Sequence, residues 1–222
     1  MSYFLECCCQ DAQNARTAQS HGASRIELCE DLAHDGVTPS KDNICRTLHA
    51  VTIPVNVLIR CHPGDFVYTD EDLQHMLQSI ALCRDLCVTN PDGRERRVNA
   101  VVIGALDKYG DIDKKAVQQM VNEARLHDSH LAITFHRAFD VCRDPLQAYT
   151  VINEMGIERI LTSGHASSAM DGRALLSQLV QQSHAGGTQI LVGGGVRPSN
   201  IDILAKDTCA HEFHSSHLIW DD

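Results

Sequence analysis

Along the chain, short apolar runs rich in β-branched residues alternate with longer stretches whose apolar positions recur every three or four residues. The first kind of run predicts a buried strand, and the second an amphipathic helix. Eight strands are expected: Phe4 to Cys8, Arg25 to Cys29, Val55 to Arg60, Ala100 to Leu106, Leu131 to His136, Arg159 to Ser163, Gln189 to Gly193 and Glu212 to Ser215. The unit repeats about every 25 to 30 residues, the size of a strand with its crossover helix.

Helix starts are marked between the strands. Thr38-Pro39-Ser40, Thr69-Asp70-Glu71, Asp111-Ile112-Asp113, Arg143-Asp144-Pro145 and Arg197-Pro198-Ser199 each join a capping residue to proline or an acidic first turn. The helices near Asp11 to His21 and Met170 to His184 rest on periodicity alone. Strands alternating with helices predict a parallel sheet, and eight such units predict closure into a (β/α)8 TIM barrel over a single domain, residues 1–222. No G-x-G-x-x-G follows the first strand to favour an open doubly wound sheet. Only six residues follow Ser216, so the eighth helix is expected to be short or missing. The stretch Thr89 to Val98 reads as a solvated loop at the barrel bottom.

Composition narrows the function classes. Hydrophobic residues make up 43% and charged residues 22%, the balance of an ordinary globular protein. No apolar run approaches the roughly 20 residues that cross a bilayer, and the N-terminus shows no secretory pattern. A cytoplasmic protein with no membrane partner is expected. A net charge of −10 argues against nucleic acid as a partner. Ten cysteines in that compartment read as free thiols or ligands rather than disulfides.

In a barrel, chemistry collects at the C-terminal strand ends, on side chains that alternate inward. The first strand offers Glu6 and Cys8 inward, the second Glu27 and Cys29. Buried carboxylates need a cation, a proton or a polar network. Arg60 at the end of the third strand is a candidate cation, and ITFHRAFD adds His136, Arg137 and Asp140. Glu6, Glu27, Arg60, His136 and Asp140 are therefore candidate catalytic residues; an internal salt-bridge network is the alternative. Cys8 and Cys29 form a soft pair suited to Cu(I), with core packing as the alternative. No C-x-x-C with a paired H-x-x-x-H supports a zinc site. Cys7 and Cys9 should pack beneath helices, and Cys45, Cys83, Cys87 and Cys142 fall on helical or helix-entry stretches. Gly193, Gly194 and Gly195, with Ser215 and Arg60, are candidate anion binders, although a glycine run also serves a tight strand exit. No strand end offers a lysine, which disfavours a Schiff-base mechanism.

The motifs LECC, GASRIELCEDLAHDGVTPS, IPVNVLIR, GDFVYTDED, TFHRAFD, RILTSG, GGGV and EFHSS, in that order, resemble the CutC family. That resemblance implies a (β/α)8 barrel, a cytoplasmic location, a homo-oligomer (dimer or tetramer) and a role in copper homeostasis with Cu(I) as ligand. It carries over Glu6, Cys8, Glu27, Cys29, Arg60, Asp65, His136, Arg137, Asp140, Ser163, Gly164, His214 and Ser215. The chain departs from the family pattern Arg-Pro-Arg-Gly-Gly-Asp-Phe in having His62 where a second arginine is usual and in adding Cys61. The other function that the residues allow is an acid–base enzyme acting on a small anionic or sugar-like metabolite.

Overall fold

A computed structural model describes residues 3–90, 92–184 and 186–216. Eight parallel strands close into a barrel: β1 (Phe4–Cys9), β2 (Arg25–Leu28), β3 (Val55–Leu58), β4 (Ala100–Ile103), β5 (Ala132–Phe135), β6 (Arg159–Thr162), β7 (Gln189–Val192) and β8 (Glu212–Ser215). Each strand pairs with its sequence neighbours, and β8 pairs with β1. Among the described residues seven α-helices cover the outside: α1 (Ala12–Ser20), α2 (Lys41–Ala50), α3 (Asp70–Asp85), α4 (Lys114–Ala124), α5 (Pro145–Glu154), α6 (Arg173–Ser183) and α7 (Ile201–Thr208). The expected (β/α)8 barrel is thus present. The position of an eighth helix, residues 217–222, lies outside the described residues.

The alternation of each strand explains the two layers. Ile26, Leu28, Val55, Val57, Val101, Ile103, Ile133, Phe135, Ile190, Val192 and Phe213 are buried in the main hydrophobic cluster between strands and helices. Cys7 and Cys9 lie in that same cluster. Local caps hold the helices in register with the strands. Thr69 and Asp72 form a reciprocal capping box at α3, and Ser40, Asp113 and Asp144 each accept a first-turn N–H. Asp11 caps α1 in the same way, a signal that periodicity alone did not use.

Two expectations need correction. Several strands stop short of their expected ends, β3 at Leu58 and β4 at Ile103. Beyond these points the backbone turns to loop partners: Arg60 N–H donates to Thr38 Oγ1 (2.8 Å), and Ser163 N–H to the Asp140 carboxylate (3.0 Å). Most of the stretch read as a solvated loop, Thr89 to Val98, belongs to a short antiparallel hairpin that begins just before it, Cys87–Thr89 with Glu95–Arg97. Cys87 therefore stands on a strand, and Arg96 Nη2 ties the hairpin to the Ile53 carbonyl (2.9 Å).

Candidate functional site

The interior of the barrel is polar at its heart. Glu6 is wholly buried; its carboxylate accepts from Arg25 Nε, from Asn56 Nδ2 (3.1 Å) and from His214 Nδ1 (2.7 Å). Arg25 also reaches Glu212 (3.0 Å), which Arg159 binds in turn (2.8 Å). Burial alone would raise the Glu6 carboxyl; Arg25 and then His214 outweigh it and hold its pKa at about 2. Arg60, the expected cation for this carboxylate, is not its partner. In the ladder Glu6 stands level with Arg25, and Cys8 with Glu27.

Above this network a cavity of about 490 Å³ opens at the C-terminal ends of the strands. Glu27, Cys8, His136, His214, Arg60, Arg137 and Arg197 face it. Glu27 is almost fully buried, and its Oε2 has no hydrogen-bond partner among the described residues. Burial raises its carboxyl to about 7 against the pull of His214. His214 Nε2 lies 4.0 Å from Glu27 Oε1. Burial would lower the imidazolium, but Glu27 and then Glu6 overcome this and raise it to about 9. A buried base and a buried acid thus stand side by side with their pKa values on either side of 8.

His136 is the opposite case. Burial, and then the Arg60 charge, depress it to about 3, so the ring is neutral. Its Nδ1 accepts the Ala138 N–H (3.1 Å), which places the ring proton on Nε2. That N–H has no partner among the described residues. A Cβ at Gly104 would stand 2.5 Å from the ring, so the imidazole fills space only glycine leaves.

Main-chain oxygens hold Arg60: Nη1 donates to Asp35 O and Gly36 O (both 3.1 Å), and Nη2 to Gly64 O (2.8 Å). Its guanidinium lies 5.0 Å from the Phe66 ring, which also packs against His136. It is 3% exposed, its Nε is unpartnered, and no carboxylate pairs with it among the described residues. A buried cation with no counter-charge and a cavity in front of it is built for an anion.

The other expected site residues support this arrangement. Asp140 accepts from Thr162 Oγ1 (2.5 Å), Ser163 N and Arg137 Nε (2.7 Å), so its oxygens are engaged in anchoring Arg137. Arg137 Nη2 bonds Ser163 Oγ (3.1 Å). The Ser215 hydroxyl donates to Val196 O and accepts from Arg197 Nη1 (3.2 Å), which places that arginine. Gly194 and Gly195 line the cavity with left-handed backbone, φ 91° and 74°, whereas Gly193 packs against Leu161. Asp65 sits in the exposed loop after β3, outside the cavity lining. Cys8 and Cys29 do meet, Sγ to Sγ 3.5 Å, with Cys29 packed against Leu58 and Val102. A different trio, Cys8, Glu27 and His214, has donor atoms within 4.8 Å of one another. Sequence reading missed Arg25, Asn56 and Arg197. The inward alternation Arg25, Glu27, Cys29 carried the signal for the first of these.

The CutC family model matches residues 3–219. A CutC family protein of Parabacteroides distasonis is 41% identical over 218 residues, covering 97% of this chain and 83% of that protein. The structure of CutC from Streptococcus agalactiae, a proposed copper homeostasis protein, superposes with a TM-score of 0.85 at 28% identity, covering 97% of this chain and 99% of that one. A proposed phosphonomutase from Burkholderia cenocepacia matches with a TM-score of 0.64 at 15% identity, over 98% of this chain and 87% of that one, a likeness of fold.

Proposed function

The chain belongs to the CutC family, and on that premise we propose that its barrel binds a small, multiply charged anionic metabolite and moves a proton on it. The Arg60 guanidinium carries this reading, buried at the wall of the cavity without a carboxylate partner among the described residues. Arg60, Arg137 and Arg197 bind the anionic groups. The unpartnered His136 Nε2–H donates to a ligand oxygen and stabilises charge gathering there. Glu27 takes the proton and His214 returns one, with Glu6 orienting His214 through Nδ1. A cavity of about 490 Å³ suits a metabolite rather than a polymer.

The test is a thermal-shift and native mass spectrometry search with phosphorylated and polycarboxylate metabolites. At 100 times its Kd a true ligand adds about 2.7 kcal/mol, roughly 5–10 °C for a chain of this size. Arg60→Gln should lose that shift. If no anionic metabolite stabilises the parent protein, the proposal fails.

Copper is the second reading, favoured by the 3.5 Å approach of Cys8 and Cys29 and by the role proposed for the Streptococcus agalactiae protein. The Cys29 thiol, then burial and then Glu27, hold the Cys8 thiol well above its ordinary range, so Cu(I) would have to displace its proton. Competition with a Cu(I) chelator under reducing conditions should give one ion per chain, lost in Cys8→Ser/Cys29→Ser. Equal uptake by that double variant removes the pair from consideration. Either reading fits a cytoplasmic homo-oligomer, dimer or tetramer, without nucleic-acid or membrane partners. The oligomer and the compartment rest on the family resemblance, and the absence of a nucleic-acid partner on the net charge of −10; among the described residues no helix is long and apolar enough to cross a membrane.

A further inference from the structure

The loop leaving β3 gathers a second set of metal-ligating side chains, separate from the cavity. Cys61, His62 and Asp72 offer donor atoms that all lie within 4.8 Å of one another. Cys61 and His62 directly follow Arg60, whose three carbonyl contacts fix the start of the loop. Asp72 stands in the first turn of α3, where its Oδ2 accepts from Thr69 N (2.9 Å) and Thr69 Oγ1 (2.6 Å). Both sides of the cluster are therefore anchored by contacts that owe nothing to an ion.

The imidazole is set for ligation. His62 Nδ1 lies 2.9 Å from the Pro63 carbonyl, which can only accept, so this nitrogen carries a proton. A ring N–H given to a backbone carbonyl, leaving the other nitrogen for the ion, is the usual second contact of a metal-bound histidine. Here the other nitrogen, Nε2, points at Asp72 Oδ2 from 3.7 Å, beyond hydrogen-bond range. Tyr68 packs edge-on against the ring at 5.4 Å and limits its rotation. The half-buried Cys61 thiol, pushed up to about 11 by burial and then by Asp72, completes the trio. Such a mixture of thiolate, imidazole and carboxylate suits a borderline divalent ion.

We propose that Cys61, His62 and Asp72 bind a divalent transition metal ion of the Zn(II) class, with the remaining position open to water. On binding, the ion replaces the Cys61 thiol proton, which leaves to solvent as the metal–sulfur bond forms. The site differs from the trio in the barrel, where His214 is held as an imidazolium between two carboxylates and offers no lone pair.

The probe is Co(II), titrated into reduced, metal-free protein and then displaced by Zn(II). The parent should bind one equivalent at this site with a sulfur-to-cobalt charge-transfer band. Cys61→Ser should lose the band, and His62→Ala and Asp72→Asn should weaken binding by at least about tenfold. Asp72→Asn keeps a side-chain oxygen for the α3 cap, so it decides the matter if another variant folds poorly. Cys8→Ser/Cys29→Ser should keep both band and affinity. The proposal is overturned if the parent binds no Co(II), which would leave His62 and Asp72 as a surface ion pair. It is equally overturned if Cys61→Ser and Asp72→Asn bind like the parent, or if the band vanishes only with Cys8 and Cys29.

Discussion

Glu6→Ala is expected to cost about 3–5 kcal/mol of folding stability, the loss that follows removal of one partner from a buried ion pair. The carboxylate is wholly buried and faces Arg25, Asn56 and His214 at once. Without it, Arg25, itself 3% exposed, keeps Glu212 as its one carboxylate partner among the described residues. Urea unfolding of parent and variant measures the difference, and a loss below about 1 kcal/mol would show the network to be dispensable. The pH dependence has a definite sign. The Glu6 pKa is depressed in the folded protein to about 2, from an ordinary value of 4.5. Its contribution is therefore present above pH 4.5 and lost as pH falls toward 2. Glu6→Gln should flatten the acid limb of a stability profile across that window.

The second large effect is on chemistry. With the anionic ligand found by the thermal-shift search, Glu27→Gln should keep ligand binding and lose roughly 10²–10⁴-fold in proton transfer, the usual share of a general base. Deuterium uptake from heavy water into the bound metabolite reads that step directly. In the parent, Glu27 must be ionised to accept a proton, so the rate rises through about pH 7. His214 must be protonated to donate one, so the rate falls through about pH 9. A bell between those values is expected, and its rising limb should vanish in Glu27→Gln. A variant that exchanges deuterium as fast as the parent would remove Glu27 from the mechanism.

Much of the scaffold was legible from periodicity and caps. The strands β3 to β7 carry apolar runs with β-branched residues, and the starts of α2, α3, α4 and α5 fall where Ser40, Thr69, Asp113 and Asp144 stand. What escaped was everything that depends on how neighbouring strands slide past one another. Glu6 and Glu27 share the motif Glu-x-Cys, yet the ladder sets Glu6 beside Arg25 and Glu27 beside Cys8. That offset comes from the shear of the closed barrel, a global quantity that no local pattern encodes. Arg60 was recognisable as a buried cation, but its partners are carbonyls at 35, 36 and 64, and every residue type carries a carbonyl. The short hairpin was hidden for a related reason: three-residue strands bearing Glu95, Arg96 and Arg97 look like solvated chain.

The carbonyl cage around Arg60 also makes one side chain a mechanical joint. Its guanidinium bridges the loop after β2 and the loop after β3, adding a side-chain tie to the main-chain bond that Thr38 N–H gives the Arg60 carbonyl (2.9 Å). An anion drawing on that guanidinium from the cavity tugs both loops at once, so occupancy is transmitted as slowed amide exchange around residues 35–36 and 61–64. Cutting the joint with Arg60→Gln leaves only the Thr38–Arg60 main-chain contacts between the two rims, so amide exchange at 35–36 and 61–64 should quicken and no longer respond to an anion in the cavity.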